Sequence, residues 1–176
     1  MSANRTLAPF LFCVLAGSAL AQETGLPGNA TSLRETHGDW TVSCAIVTSS
    51  DGSAKRCVLS QQQIAPQTRQ RALTIELRAD GEGASGTLIL PFGLSLDKGI
   101  AYQLDDNEPG VPQRFRTCLP VGCVVDIHFD NRTVSSLKSG KVLKVNAAAD
   151  GGKEMAFSIS LAGFTGAYER VVTLVK

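Results

Sequence analysis

The run CLPVGC, residues 118–123, places two cysteines around four intervening residues that include a proline and a glycine. Three chemistries use cysteines so close together: a thiolate metal site, a redox couple, or a covalent link. Structural zinc takes four thiolate or imidazole ligands in tetrahedral geometry, commonly as C-x2-C pairs. Redox couples of the C-x-x-C kind sit at a helix N-terminus, which lowers a thiol's pKa. Here the spacing is longer, and the flanking sequence, RFRT before and VVDIHF after, has the composition of strands. The covalent link is the reading these residues support. Pro120 fixes one φ angle and Gly122 permits a positive one, so the chain can fold back tightly enough to join Cys118 to Cys123.

Other residues with chemical potential have plainer explanations. Asp126, His128 and Asp130 recur at every second position in DIHFD and could hold a metal or serve a small hydrolase, but period-two polar residues also mark any solvent-facing strand. Ser135 and Lys138 make an S-x-x-K match that overlaps Lys138-Ser139-Gly140. The enzymes that use the two corresponding signatures hold them far apart in a much larger domain, so the match is coincidental. The DDNEPG run lacks the ligand spacing of a calcium loop and reads as a solvated turn. Phe92, Phe115 and Phe164 flank turns, where they are either core plugs at strand ends or an exposed aromatic site; burial decides between the two.

The chain begins MSANRTLAPFLFCVLAGSALAQ: one arginine, an apolar run from Leu7 to Leu15, then Ala19 and Ala21 as the small residues of a cleavage site. Residues 1–21 are therefore expected to be a secretory signal peptide, cut before Gln22. The apolar run is shorter than the ~20 residues that span a bilayer. Removing the signal takes Cys13 and Arg5 with it. Four cysteines remain, Cys44, Cys57, Cys118 and Cys123, and the 17 basic side chains fall to match the 16 acidic ones. A neutral chain has no bulk electrostatic drive towards nucleic acid or anionic lipid, which leaves only local patches. Export places the thiols where an even number pairs. Four cysteines allow three pairings, and Cys44 and Cys57, on the two arms of a predicted hairpin, are the natural partners beside Cys118 and Cys123.

The elements that position these residues are mostly strands. Trp40, Val42, Cys44 and Ile46 alternate with Thr41, Ser43 and Ala45; Leu73, Ile75 and Leu77 alternate with Thr74, Glu76 and Arg78; and Val125, Ile127 and Phe129 do the same. CVLSQQQI, TLILPFGLSL, GIAYQLDD, KVLKVNAA, EMAFSISL and the closing RVVTLVK complete the set, with DGEGASG as a break and DGGK as a hairpin turn. DNRTVSSLKSG predicts a short helix capped by Asp130 or Asn131 and stopped at Gly140, and GFTGAYER a further helical turn. Residues 22–36 read as a flexible leader and 37–176 as one all-β domain. Eight to ten short strands make it a mostly antiparallel sandwich or barrel.

Seven blocks in order, GDWTVSC, KRCVLSQQ, LILPFGLSLDKGI, QLDDNEPG, FRTCLPVGCVVD, LKSGKVLKV and SISLAGF, resemble the invasion-associated locus B family of exported bacterial proteins. The resemblance runs from about Gly38 to about Phe164, and FRTCLPVGC and ILPFGL are its most unusual strings. It implies an immunoglobulin-like antiparallel β-sandwich in the periplasm or at the outer surface of a Gram-negative bacterium. In some pathogens such proteins are associated with invasion of host cells. The resemblance brings no catalytic residue, metal or cofactor. What it carries over is scaffold: Cys44, Cys57, Cys118 and Cys123, the Trp40 strand and the Pro91–Phe92–Gly93 corner. The function expected is a non-enzymatic exported protein that binds a protein partner in the envelope or on a host cell through strand edges or loops. A periplasmic chaperone-like role and a small hydrolase are the alternatives.

Overall fold

The computed structural model describes residues 25–50, 52–65, 69 and 71–176. The expected export signal and the start of the leader lie outside them. After a single 3-10 turn at Pro27–Asn29 come β1 (Ser32–His37), β2 (Trp40–Ser49), β3 (Gly52–Ile64), β4 (Arg71–Asp80), β5 (Gly83–Leu90), β6 (Ile100–Leu104), β7 (Thr117–Leu119) and β8 (Gly122–Phe129). Helix α1 (Asn131–Ser139), β9 (Val142–Ala148), β10 (Glu154–Ser160) and helix α2 (Phe164–Val175) complete the chain. The strands form two antiparallel sheets, one of seven in the order β1-β2-β3-β4-β5-β8-β7 and one of three in the order β10-β9-β6. The mostly β, two-sheet architecture with two helices is as the sequence predicts.

One row across the larger sheet shows how alternation builds the core. Val42 pairs with Leu59, Leu59 with Leu77, Leu77 with Gly86 and Gly86 with Ile127. The four aliphatic members are buried. Gly86 is required there, because a Cβ would overlap the Glu76 carbonyl oxygen and push β4 from β5. For the same reason the glycines of DGEGASG, expected to interrupt the strands, lie partly within β5: Gly83 opens it opposite Asp80, leaving only Gly81 and Glu82 as the turn.

The sheets are joined at β10. Trp40 Nε1 and Gln61 Nε2 each donate to the Ser160 carbonyl at 2.9 Å, and Ser160 N–H donates to Gln61 Oε1 at 3.1 Å. Gln63 Nε2 donates to the Ser158 carbonyl. Two glutamines and a tryptophan thus satisfy part of a strand edge that would otherwise be unpaired.

Two further expectations are corrected. RVVTLVK is the C-terminal half of α2, not a strand. Phe164, Ala167, Tyr168, Val171 and Leu174 are its buried residues, spaced by three or four, and that stripe outweighs the strand propensity of the β-branched residues. Phe164 meets Trp40 edge-on at 5.2 Å and stacks on Tyr168 at 6.0 Å. The leader is not free up to residue 36: Ser32–His37 pairs with β2 as β1, in the register Leu33 to Cys44. Its polar composition is that of an edge strand with one half-buried face.

Glu35 fixes β1 to α2, since Arg170 Nε and Nη2 donate to its two carboxylate oxygens at 2.8 and 2.7 Å. Those hydrogen bonds hold the Glu35 carboxyl below its ordinary pKa, with a smaller contribution from His37. A lowered carboxylate pKa stabilises the fold above the unfolded-state pKa, and the contribution is lost as pH falls through the folded-state value. Glu35→Gln is therefore expected to cost about 1 kcal/mol at pH 7, the scale of a partly exposed ion pair. The difference from the parent should shrink as pH falls through the folded-state value and the carboxyl is protonated. Urea denaturation of the two proteins at pH 7 and over an acid series checks it.

Candidate functional site

The CLPVGC run is the β7–β8 hairpin. Leu119 pairs with Gly122 across the two-residue turn Pro120–Val121, and Cys118 lies directly opposite Cys123. The two cysteines are disulfide-bonded, with 3.9 Å between their Cα atoms. Gly122 has φ +131°, and a Cβ there would overlap the Leu90 carbonyl oxygen, so the turn lies tight against the end of β5. Cys44 and Cys57 are likewise opposite each other in β2 and β3 and joined, at 4.1 Å between Cα atoms. Both links connect residues already paired in the sheet. They therefore pin register, which a one-residue slip would otherwise invert.

The braced hairpin stands at one end of the larger sheet. Strand alternation brings to that end the chain after β3, the chain before β4, the corner after β5 and the β7–β8 turn. Each carries exposed apolar or cationic side chains. Phe92 is 61 % exposed, Val121 52 %, Ile64 48 % and Leu119 45 %, while Arg69 and Arg71 are also exposed. The three phenylalanines thus divide: Phe164 is buried, Phe115 half-buried, and Phe92 out in solvent. Arg69 and Arg71 form no ion pair among the described residues. At the other end of the same sheet the exposed residues include Asp80, Glu82 and Asp130, with Arg78 and Arg132 beside them.

The residues singled out for catalysis or metal binding have structural partners. Asp126 faces Arg116 at 3.5 Å. Asp130 caps α1, its carboxylate accepting from Thr133 N–H at 2.7 Å, and those bonds lower its pKa. His128 is exposed opposite Ser85, whose buried hydroxyl has no hydrogen-bond partner, so the two are not joined as nucleophile and base. Lys138 donates to Glu169 at 3.3 Å and lies 5.0 Å from the centre of the Tyr168 ring. Ser135 bonds within its own helix to Asn131. Asp105, in the DDNEPG turn, accepts from the N–H groups of Val142 and Lys141 at 2.9 and 3.0 Å, which lowers its pKa and ties the turn to β9. The groove over the outer face of the smaller sheet, about 610 Å³, has Ala101, Asn146 and Ala156 in its lining.

The four cysteines, the Trp40 strand and the braced hairpin all fall within residues 40–172, which match the family described as Invasion associated locus B (IalB) protein. The chain belongs to that family. Among IalB relatives, the invasion protein B homolog of Brucella abortus is 43 % identical over 169 residues, 95 % of this chain and 94 % of its own. Invasion protein B of Bartonella bacilliformis is 39 % identical over 155 residues, covering 86 % and 81 % respectively. The crystal structure of invasion associated protein B from Bartonella henselae superposes with a TM-score of 0.73 at 29 % identity, over 81 % of this chain and 96 % of that one. The IalB fold and the disulfides are consistent with an exported protein. Among the described residues no helix is long and apolar enough to cross a membrane.

Sequence reasoning carried Cys118 and Cys123 as scaffold, offered Phe92 as either a core plug or an exposed aromatic, and did not connect them with Ile64, Arg69 and Arg71. A signal was present. The runs 61–72, 85–96 and 111–125 contain no aspartate or glutamate, and the antiparallel topology brings parts of all three to one end of the sheet.

Proposed function

We propose that this chain is an exported, non-enzymatic envelope protein that binds a partner through the hairpin end of its larger sheet. The observation that supports the reading is the set of four exposed apolar side chains, Ile64, Phe92, Leu119 and Val121, at strand ends and turns of one end of the larger sheet. Isolated exposed apolar residues are ordinary, whereas a group gathered at one end marks an interaction surface. Export follows from the signal at residues 1–21, cut before Gln22, and delivers the chain to the periplasm or the outer surface. The non-enzymatic reading draws on the structural duties held by Asp126, Asp130 and Lys138. The names of the Brucella and Bartonella relatives supply a context, invasion of host cells, in which such binding would be used.

A photo-crosslinking side chain placed at Val121, and separately at Glu82 at the opposite end of the sheet, tests this in intact cells. Adducts are expected at 121 and not at 82. Equal labelling at both positions, or none at either, would remove the hairpin end as the binding surface.

A further inference from the structure

We infer that the partner of the hairpin end is the surface of an anionic phospholipid bilayer, into which Ile64, Phe92, Leu119 and Val121 insert while Arg69 and Arg71 meet the phosphates. This rests on the binding surface proposed above and names its partner. The four apolar side chains stand at strand ends and turns, spread from β3 to β7 over four strand spacings, roughly 19 Å at ~4.8 Å each. A protein partner needs about 800 Å² of complementary surface on each side. A fluid bilayer accepts separate protrusions without such a match, because headgroups rearrange around each of them.

Charge points the same way. Within the acid-free runs, Arg69 and Arg71 are exposed cations beside Ile64. Arg116, at the hairpin's flank, is matched by Asp126. The cationic character is confined to that corner: exposed carboxylates stand in the β1–β2 turn, at Asp39, and towards the smaller sheet, at Asp97 and at Asp150, whose N–H donates to the Gly93 carbonyl at 2.8 Å. The far end is mixed, with Asp80, Glu82 and Asp130 beside Arg78 and Arg132. An even total of positive and negative side chains gives no long-range pull, so the attraction is local, from Arg69 and Arg71 beside Ile64 to the phosphates. An arginine can keep its guanidinium at phosphate level while its stem covers apolar surface. The Cys118–Cys123 link holds the Pro120–Val121 tip in shape before contact, which reduces what must be ordered on docking.

Flotation with vesicles of phosphatidylglycerol and phosphatidylethanolamine, against vesicles of phosphatidylcholine alone, tests the inference. The protein is expressed as the full chain and recovered after export, so every variant shares the same N-terminal processing. The parent is expected to float with the anionic vesicles, to float weakly with the neutral ones, and to lose binding in high salt. Arg69→Glu and Arg71→Glu should each weaken partitioning at least about fivefold. Phe92→Ser should do so on the order of tenfold. Leu119→Ser/Val121→Ser is a second apolar variant, and unchanged circular dichroism and melting show that each protein remains folded. Equal flotation of parent and variants, or equal binding to both vesicle types, would overturn the inference. If only protein adducts form at 121 and the parent stays with the unbound fraction, the bilayer is wrong while the binding surface stands. If no adduct forms and the parent stays unbound, both fall.

Discussion

Trp40→Ala is expected to lose about 4 kcal/mol of stability, within the usual range for removing a buried tryptophan. Trp40 is 1 % exposed and meets Phe164 of α2 edge-on, so truncation opens a cavity between the larger sheet and the helix that covers it. The indole N–H also donates to Ser160, which joins the two sheets. Ser160 keeps Gln61 as a second donor, so no orphaned carbonyl is left, and the loss is mainly one of packing. Against a total stability of ~5–15 kcal/mol, the variant sits near the edge of folding. Trp40→Phe retains most of the apolar volume and should cost about half as much. Urea unfolding of the three proteins measures both differences. A loss below about 1 kcal/mol for the alanine variant would mean that α2 does not depend on this contact.

The two disulfides are expected to separate by what they support. Cys44→Ala/Cys57→Ala opens the longer loop, with a sequence separation of 13, and should cost about 3 kcal/mol from loop entropy. Both sulfurs are buried, so lost packing adds to that figure. Cys118→Ala/Cys123→Ala opens a loop with a separation of 5 and should cost about 2 kcal/mol. Its larger effect should be on binding. Cys118 is exposed and the hairpin carries Leu119 and Val121, so freeing the tip should lower vesicle partitioning more than the first double variant does at the same folded fraction. Thermal unfolding and flotation on the same preparations compare them. Identical binding losses in the two variants would show that the hairpin brace has no special part in docking.

What the sequence made legible follows from which signals are local. Trp40, Val42 and Cys44 alternate strictly, and their strand, its hairpin partner and the facing cysteines could all be read from the chain. Asp130 and Gly140 bounded α1 by cap chemistry alone. Val171, Val172 and Val175 have strand propensity, however, and only the three- and four-residue spacing back to Phe164 reveals a helix against the sheet. β1 was hidden for a different reason. An edge strand that half-buries Leu33 and pairs Glu35 with a residue 135 positions away has no local apolar pattern to display. The hairpin end is the least local feature of all. Phe92, Ile64 and Val121 lie on segments separated by dozens of residues, and only the strand order makes them neighbours.

All of this depends on a chain that leaves the cytosol and is closed by two links between facing strands. Peptide mapping without reduction, on protein taken from a periplasmic extract, should yield Cys44 bound to Cys57, Cys118 bound to Cys123, and an N-terminus at Gln22. Free thiols, crossed pairs, or an uncut Met1 in the cytosolic fraction would contradict it.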